Sequence, residues 1–224
     1  MLKYIILFLL PFTLPAQDEL PPVREDFTPV TTLFSIEGGF KLPTPTANKS
    51  FKTITRGVSD FELMGKIKLH DRLYIGAGFK HLYVEIRDVA LNDKADASTQ
   101  FYNPRAEVTY RAPMGDKTFF KMSLAGGYNL IEHRSNYTSK TGADFIKQEA
   151  LNLEPSMGIY LYGAENFAIG LTVAYNMVFE EFSPAMISRE TLSGFSKLDY
   201  IGSYNFFATG FTFVVYLQKP KGTF

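Results

Sequence analysis

The sequence predicts an all-β protein, an eight-stranded antiparallel up-and-down transmembrane β-barrel. Three observations lead there. Long segments alternate with period two between large apolar and small or polar side chains. The connections between them are by turns long and short. Their non-apolar faces combine charges with Gly and Ala, which are poor strand formers and have no advantage on a solvated outer face.

Phe167–Glu181 shows the pattern best. Phe167, Ile169, Leu171, Val173, Tyr175, Met177 and Phe179 oppose Ala168, Gly170, Thr172, Ala174 and Asn176. The same alternation places eight strands near Leu33–Leu42, Asp60–His70, Leu73–Ile86, Thr99–Ala112, Phe119–Glu132, Ala150–Tyr162, Phe167–Glu180 and Tyr204–Gln218. Pro104 and Pro155 fall inside strands and predict local irregularity there. Short turns fall at His70-Asp71-Arg72, Pro113–Asp116 and Gly163–Asn166. Long links fall at Pro43–Ser59, Arg87–Ser98, His133–Glu149 and Glu181–Ser203. Hairpins are thus tight at one end only.

Two barrels fit such strands. A soluble one has an apolar interior, whereas a membrane-spanning one is inverted, with lipid outside and a polar filling inside. The faces favour the inverted form. One face is rich in Phe, Leu, Ile, Met and Tyr. The other collects Glu37, Lys41, Glu62, Lys66, Lys68, Lys80, Arg105, Glu107, Arg111, Lys121, Glu154 and Glu180, seven basic against five acidic. Gly39, Gly76, Gly78, Gly127, Gly158, Gly170 and Gly210 share that face and suit a crowded lumen. The strands also exceed the globular mode of ~5–6 residues and suit a tilted crossing of ~9–11. Tyr74, Tyr83, Tyr102, Tyr110, Tyr128 and Tyr175 are candidate interfacial anchors in a chain without Trp.

The ends carry other signals. Lys3, the apolar run Tyr4–Leu14 and Pro15-Ala16 read as a secretory signal peptide over residues 1–16, cleaved after Ala16. Its apolar run is shorter than the ~20 residues a spanning helix needs. Residues 17–32, with Pro21, Pro22 and Pro29, read as an extended lead-in. The barrel occupies 33–218, and 219–224 form a tail.

Composition excludes several functions. With 23 basic and 23 acidic residues there is no case for nucleic acid as a partner. The absence of Cys removes disulfides, thiolate metal sites and thiol nucleophiles. His70 and His81 stand apart, and no motif implies a metal or other cofactor.

Over Leu33–Gln218 the chain resembles the small eight-stranded bacterial outer-membrane β-barrels, of the OmpA/OmpX and PorT-like kind. The resemblance rests on topology, alternation and the signal peptide. It implies residence in the outer membrane, with outer-membrane lipid as a partner, and makes Phe224 similar to the terminal aromatic used in barrel assembly. Within it, His133-Arg134-Ser135-Asn136, with Glu149 downstream, resembles the H-x-S-N segment of outer-membrane lipid A deacylases. That would imply a His activating a Ser while an acid orients the His. The bland reading of the segment is a polar loop, and the strand register gives His133 and Ser135 luminal parity.

Two further sites have two readings each. The luminal charges form either a salt-bridged plug or a narrow, slightly anion-preferring pore. The apolar residues Phe182, Met186, Ile187, Leu192 and Phe195 of the fourth long link, with a short helix over Ser188–Phe195, either cap the barrel mouth or offer a surface to a protein partner. The function expected from the sequence is a non-enzymatic, plugged integral barrel whose long loops serve structural or interaction roles.

Overall fold

Eight antiparallel strands, each hydrogen-bonded to the next and the last to the first, close into a barrel in this computed structural model. It describes residues 33–46, 48–87, 97–135, 145–164, 166–183, 186, 195–200 and 202–217. The expected signal peptide, lead-in and tail with Phe224, and Ser188–Gly194 of the expected loop helix, lie outside them. The strands are β1 (Phe34–Pro45), β2 (Thr55–His70), β3 (Leu73–Ile86), β4 (Ala97–Pro113), β5 (Thr118–Ser135), β6 (Ile146–Ala164), β7 (Phe167–Glu181) and β8 (Ser203–Leu217). β1 closes on β8 from Phe34↔Leu217 to Pro45↔Phe206. Lipid cannot satisfy an open strand edge, and this closure removes it. Among the described residues no helix is long and apolar enough to cross a membrane.

All eight expected strands are present, and several run further toward the long loops than the alternation indicates. β2 begins at Thr55 rather than Asp60, and β6 at Ile146 rather than Ala150. β5 continues to Ser135. Near that end the inward positions Val84, Ile86, Ala97, Ile131 and Ala150 are apolar, so the polar-inside signature fades toward the loops while the ladder continues. The two prolines interrupt pairing as their missing N–H requires. The β4/β5 pairs skip from Tyr102↔Leu130 to Arg105↔Gly127, and the β6/β7 pairs from Leu153↔Met177 to Ser156↔Ala174, with the register unchanged across each gap.

The outer surface carries the large apolar side chains. Leu63, Leu124, Leu151, Ile159, Leu171 and Phe211 are all half exposed or more. Tyr83, Tyr102, Tyr110, Tyr128 and Tyr175 share that surface. Tyr74 does not. It is buried inside the barrel, with the Arg111 guanidinium 3.9 Å above its ring, because its even position belongs to the luminal face of β3.

One helix has no counterpart in the sequence pattern. α1 (Lys49–Ile54) follows β1 and lays Phe51 and Ile54 into the barrel mouth, where neither is exposed. Asn48 caps it: the Oδ1 atom accepts hydrogen bonds from the Phe51 amide at 3.1 Å and the Ser50 hydroxyl at 2.7 Å. Its Nδ2 donates to the Gly202 carbonyl at 2.9 Å, which ties the first loop to the fourth.

Candidate functional site: the filled lumen

Inward positions two residues apart on each strand stack the lumen in tiers. The middle tiers are ionic. In the tier nearer the loops, Lys41 lies 2.8 Å from Glu62 and 3.3 Å from Glu154. Lys80 lies 2.5 Å from Glu154 and 2.7 Å from Asp60, while Arg105 reaches Glu154 at 3.2 Å. In the tier nearer the short turns, Glu37 receives Lys66 at 2.7 Å, Arg111 at 2.5 Å and Lys121 at 2.5 Å. Lys66 also reaches Glu107 at 2.6 Å, and its ammonium donates to the Thr109 hydroxyl at 2.8 Å. Every one of these charged groups is buried. Such burial is tolerated only because each charge faces an opposite one.

Glycines make this possible at one place in particular. A Cβ at Gly39 would come within 2.9 Å of the Glu62 side chain, so the bare backbone leaves room for that carboxylate to turn toward Lys41.

The structure brings ten of the twelve sequence-identified luminal charges into these two tiers. Lys68 and Glu180 stand apart. Lys68 sits near the short-turn end, 3.5 Å from Asp71, and Glu180 is half-buried at the loop end. The alternation misses Asp60, which is fully buried beside Lys80. Its parity with Glu62 is the available signal, but it marks the expected strand start, where facing is weakly defined. An asparagine tier is also missed. Asn103 donates to Asn152 at 2.8 Å and Asn152 to Asn176 at 3.3 Å, above the ionic tiers on the loop side.

Apolar tiers close both ends. Toward the loops, Phe51, Phe101, Phe182, Tyr204 and Phe206 pack edge-to-face or tilted, with centroids such as 4.9 Å for Phe51–Tyr204. Met186 and Phe195 lie partly buried against this cluster. Of the five apolar residues singled out in the fourth link, Phe182 is therefore turned inward and Met186 and Phe195 lean on it, whereas Ile187 and Leu192 lie outside the described residues. Toward the short turns, Phe119 stacks on Tyr160 at 4.9 Å, with Tyr162, Tyr216 and Val214 beside them.

The His133 segment does not assemble a triad. His133 is buried inside the mouth, and its ring contacts are neutral: Thr99 Oγ1 at 2.9 Å, Gln148 Oε1 at 3.2 Å and the Tyr204 hydroxyl at 3.3 Å. Ser135 also points inward. Glu149 lies on the opposite, outer face of the wall, where it accepts the Tyr128 hydroxyl. The wall of the barrel separates the acid from the imidazole it would need to orient. Asn136 lies outside the described residues.

An apolar exterior around a closed, ion-filled interior defines a membrane-spanning β-barrel, inverted relative to soluble barrels. No family model matches the chain, and no curated protein matches it. Solved structures do. Neisserial surface protein A is similar over 82% of this chain and 97% of its own, with 9% identity and a TM-score of 0.55. Ail of Yersinia pestis covers 82% of this chain and 96% of its own at 12% identity and a TM-score of 0.43. OprG from Pseudomonas aeruginosa covers the same shares at 14% identity and a TM-score of 0.45. The chain has the fold of the small eight-stranded outer-membrane β-barrels.

Proposed function

We propose that the protein is an integral, non-enzymatic barrel of the bacterial outer membrane whose lumen is closed and whose work is done at its loop end. The observation that carries this reading is the filling of the lumen: two ionic tiers between aromatic tiers, with Phe51 and Ile54 of α1 fully buried in the mouth. Eight strands leave an interior only wide enough for side chains, so a filled tier leaves no bore for solutes. The short turns then face the periplasm and the long loops the cell exterior. A structural or partner-binding role for the loop end follows from that orientation. The purified protein, inserted into planar bilayers, should show no steady conductance. A reproducible open channel would sink the closed-barrel reading in favour of a narrow porin.

A further inference from the structure

Outward-facing cations at the loop end are unevenly placed. Arg56 on β2, Arg87 just beyond β3, Arg134 on β5 and Lys147 on β6 are exposed on the outer side of the wall. The outward loop-end positions of β1, β7 and β8, such as Leu42, Thr44, Phe179 and Phe207, carry no positive charge among the described residues.

Three cations fall at one corner by their backbone positions. The Arg87 amide donates to the Ile54 carbonyl at 2.7 Å, which sets Arg87 beside the last residue of α1. Arg56 follows two residues after Ile54, opposite Glu85 in the β2/β3 register. Lys52 lies in the last turn of α1, exposed. Against these three, Glu85 is the acid in the same rows. Directly beneath, on the outer wall, come Tyr83 and then an aromatic pair, His81 and Tyr102, with ring centroids 5.0 Å apart. Gln100 joins that pair, accepting the Tyr102 hydroxyl at 2.6 Å and lying 3.3 Å from His81 Nε2. Aromatic side chains with a polar tip gather at the level of lipid headgroups. A basic corner immediately above them stands where lipid phosphates lie.

We propose that the phosphorylated sugar headgroup of an outer-leaflet glycolipid docks on Lys52, Arg56 and Arg87 at the β2–β3 rim, with the sugar against Tyr83. The inference rests on the outer-membrane reading above and names the lipid chemistry it would recognise. Arginine forks match phosphate oxygens two at a time, and such charge-assisted bonds are the stronger kind. Because Lys52 belongs to α1, a bound headgroup would also brace the helix that plugs the mouth.

The test uses the full chain inserted into phosphatidylcholine vesicles doped with lipid A, either phosphorylated or enzymatically dephosphorylated. Retained lipid is counted by native mass spectrometry, and barrel formation is read from heat-modifiable gel migration. Wild type should retain phosphorylated lipid A and not the dephosphorylated form. A Lys52→Ala, Arg56→Ala, Arg87→Ala triple variant should retain at least about tenfold less, as loss of several charge-assisted bonds predicts. Lys147→Ala should retain as much as wild type, and the single Arg87→Glu variant serves if the triple variant folds poorly. Folded wild type that retains no lipid A, equal retention without the phosphates, retention that survives charge removal, or binding of inorganic phosphate alone would each overturn the proposal. Failure of wild type to form a barrel in vesicles would instead overturn the membrane reading beneath it.

Discussion

Lys41 on β1 and Glu154 on β6, strands that are not neighbours, meet across the lumen at 3.3 Å. Glu154 also serves Lys80 and Arg105, so one carboxylate cross-braces four strands of the wall. Backbone pairing holds each strand only to its two neighbours. The ionic tiers add contacts that fix the shape of the ring.

Glu154→Gln therefore removes the shared negative charge from three buried cations. Breaking a buried ion pair by deleting one partner costs about 3–5 kcal/mol, since the surviving charges stay buried. Urea unfolding in lipid vesicles should show a loss of that size. Glu180→Gln, at the half-buried loop end, should stay within about 0.5 kcal/mol of wild type, as surface changes usually do. Equal midpoints for the two variants would show that Glu154 does not brace the wall.

Glycine positions divide into those the packing requires and those it does not. A Cβ on Gly210 would lie 2.0 Å from the Phe40 carbonyl oxygen, across the β1–β8 seam that closes the barrel. Backbone cannot turn aside as a side chain can, so Gly210→Ala must push the seam apart, at about 1–3 kcal/mol or more. A methyl group added at Gly38, which faces outward, would meet nothing within 4 Å. Gly38→Ala should leave folding yield in vesicles unchanged while Gly210→Ala lowers it.

Strand count, facing and most of the ionic tiers are legible because period-two alternation holds wherever one face meets lipid and the other charge. Legibility fails at the two ends of the lumen. Phe101, Phe119, Phe206 and Tyr74 point inward, and an inward aromatic looks the same in sequence as a lipid-facing one. Tyr74 reads as an interfacial anchor for that reason. α1 is hidden differently: six residues, Lys49–Ile54, are too few for a helical period, and the cap Asn48 acquires meaning only once Gly202 from the fourth loop lies against it. Parity places His133 inward, but Glu149 falls one residue before the expected sixth strand, and its outward facing is fixed only because β6 starts earlier, at Ile146.

The latch between the first and fourth loops has a defined pH dependence. Asp199 accepts a hydrogen bond from Lys49 at 2.8 Å and others from the Ser196 amide and hydroxyl at 2.8 and 3.0 Å. The Lys49 hydrogen bond, followed by the Ser196 ones, lowers its carboxyl from the ordinary 3.8 to about 2. A carboxyl held low when folded contributes stability above its ordinary value and loses it as pH falls through the folded one. The latch should thus hold at neutral pH, weaken below about 3.8 and be lost on passing about 2. The Asp199 carboxyl-carbon shift, followed by NMR, should show a midpoint well below 3.8 that rises in Lys49→Ala. An ordinary midpoint in wild type would mean the two loops are not tied there.

Facing is tested most directly at Leu171 and Thr172, adjacent on β7. Leu171 is 63% exposed on the outer surface, and Thr172 is 4% exposed inside. Arg at a lipid-facing midplane position costs about 2–4 kcal/mol, so Leu171→Arg should sharply reduce insertion into bilayers. Thr172→Arg meets a different obstacle. The Thr172 hydroxyl lies 3.0 Å from both the Tyr160 and Thr212 hydroxyls, and Glu154, the acid that could have balanced a new cation, is already committed to Lys41, Lys80 and Arg105. The inner variant should therefore also lose stability, through crowding and an uncompensated charge. Cysteine separates the two causes, because the chain has none of its own. Single Cys residues at Val173 and Ala174 change little volume. A lipid-dissolved maleimide should label the outward Val173→Cys and spare the inward Ala174→Cys. Equal labelling, or a protein that stays monomeric in water without detergent, would show that the apolar face does not meet lipid.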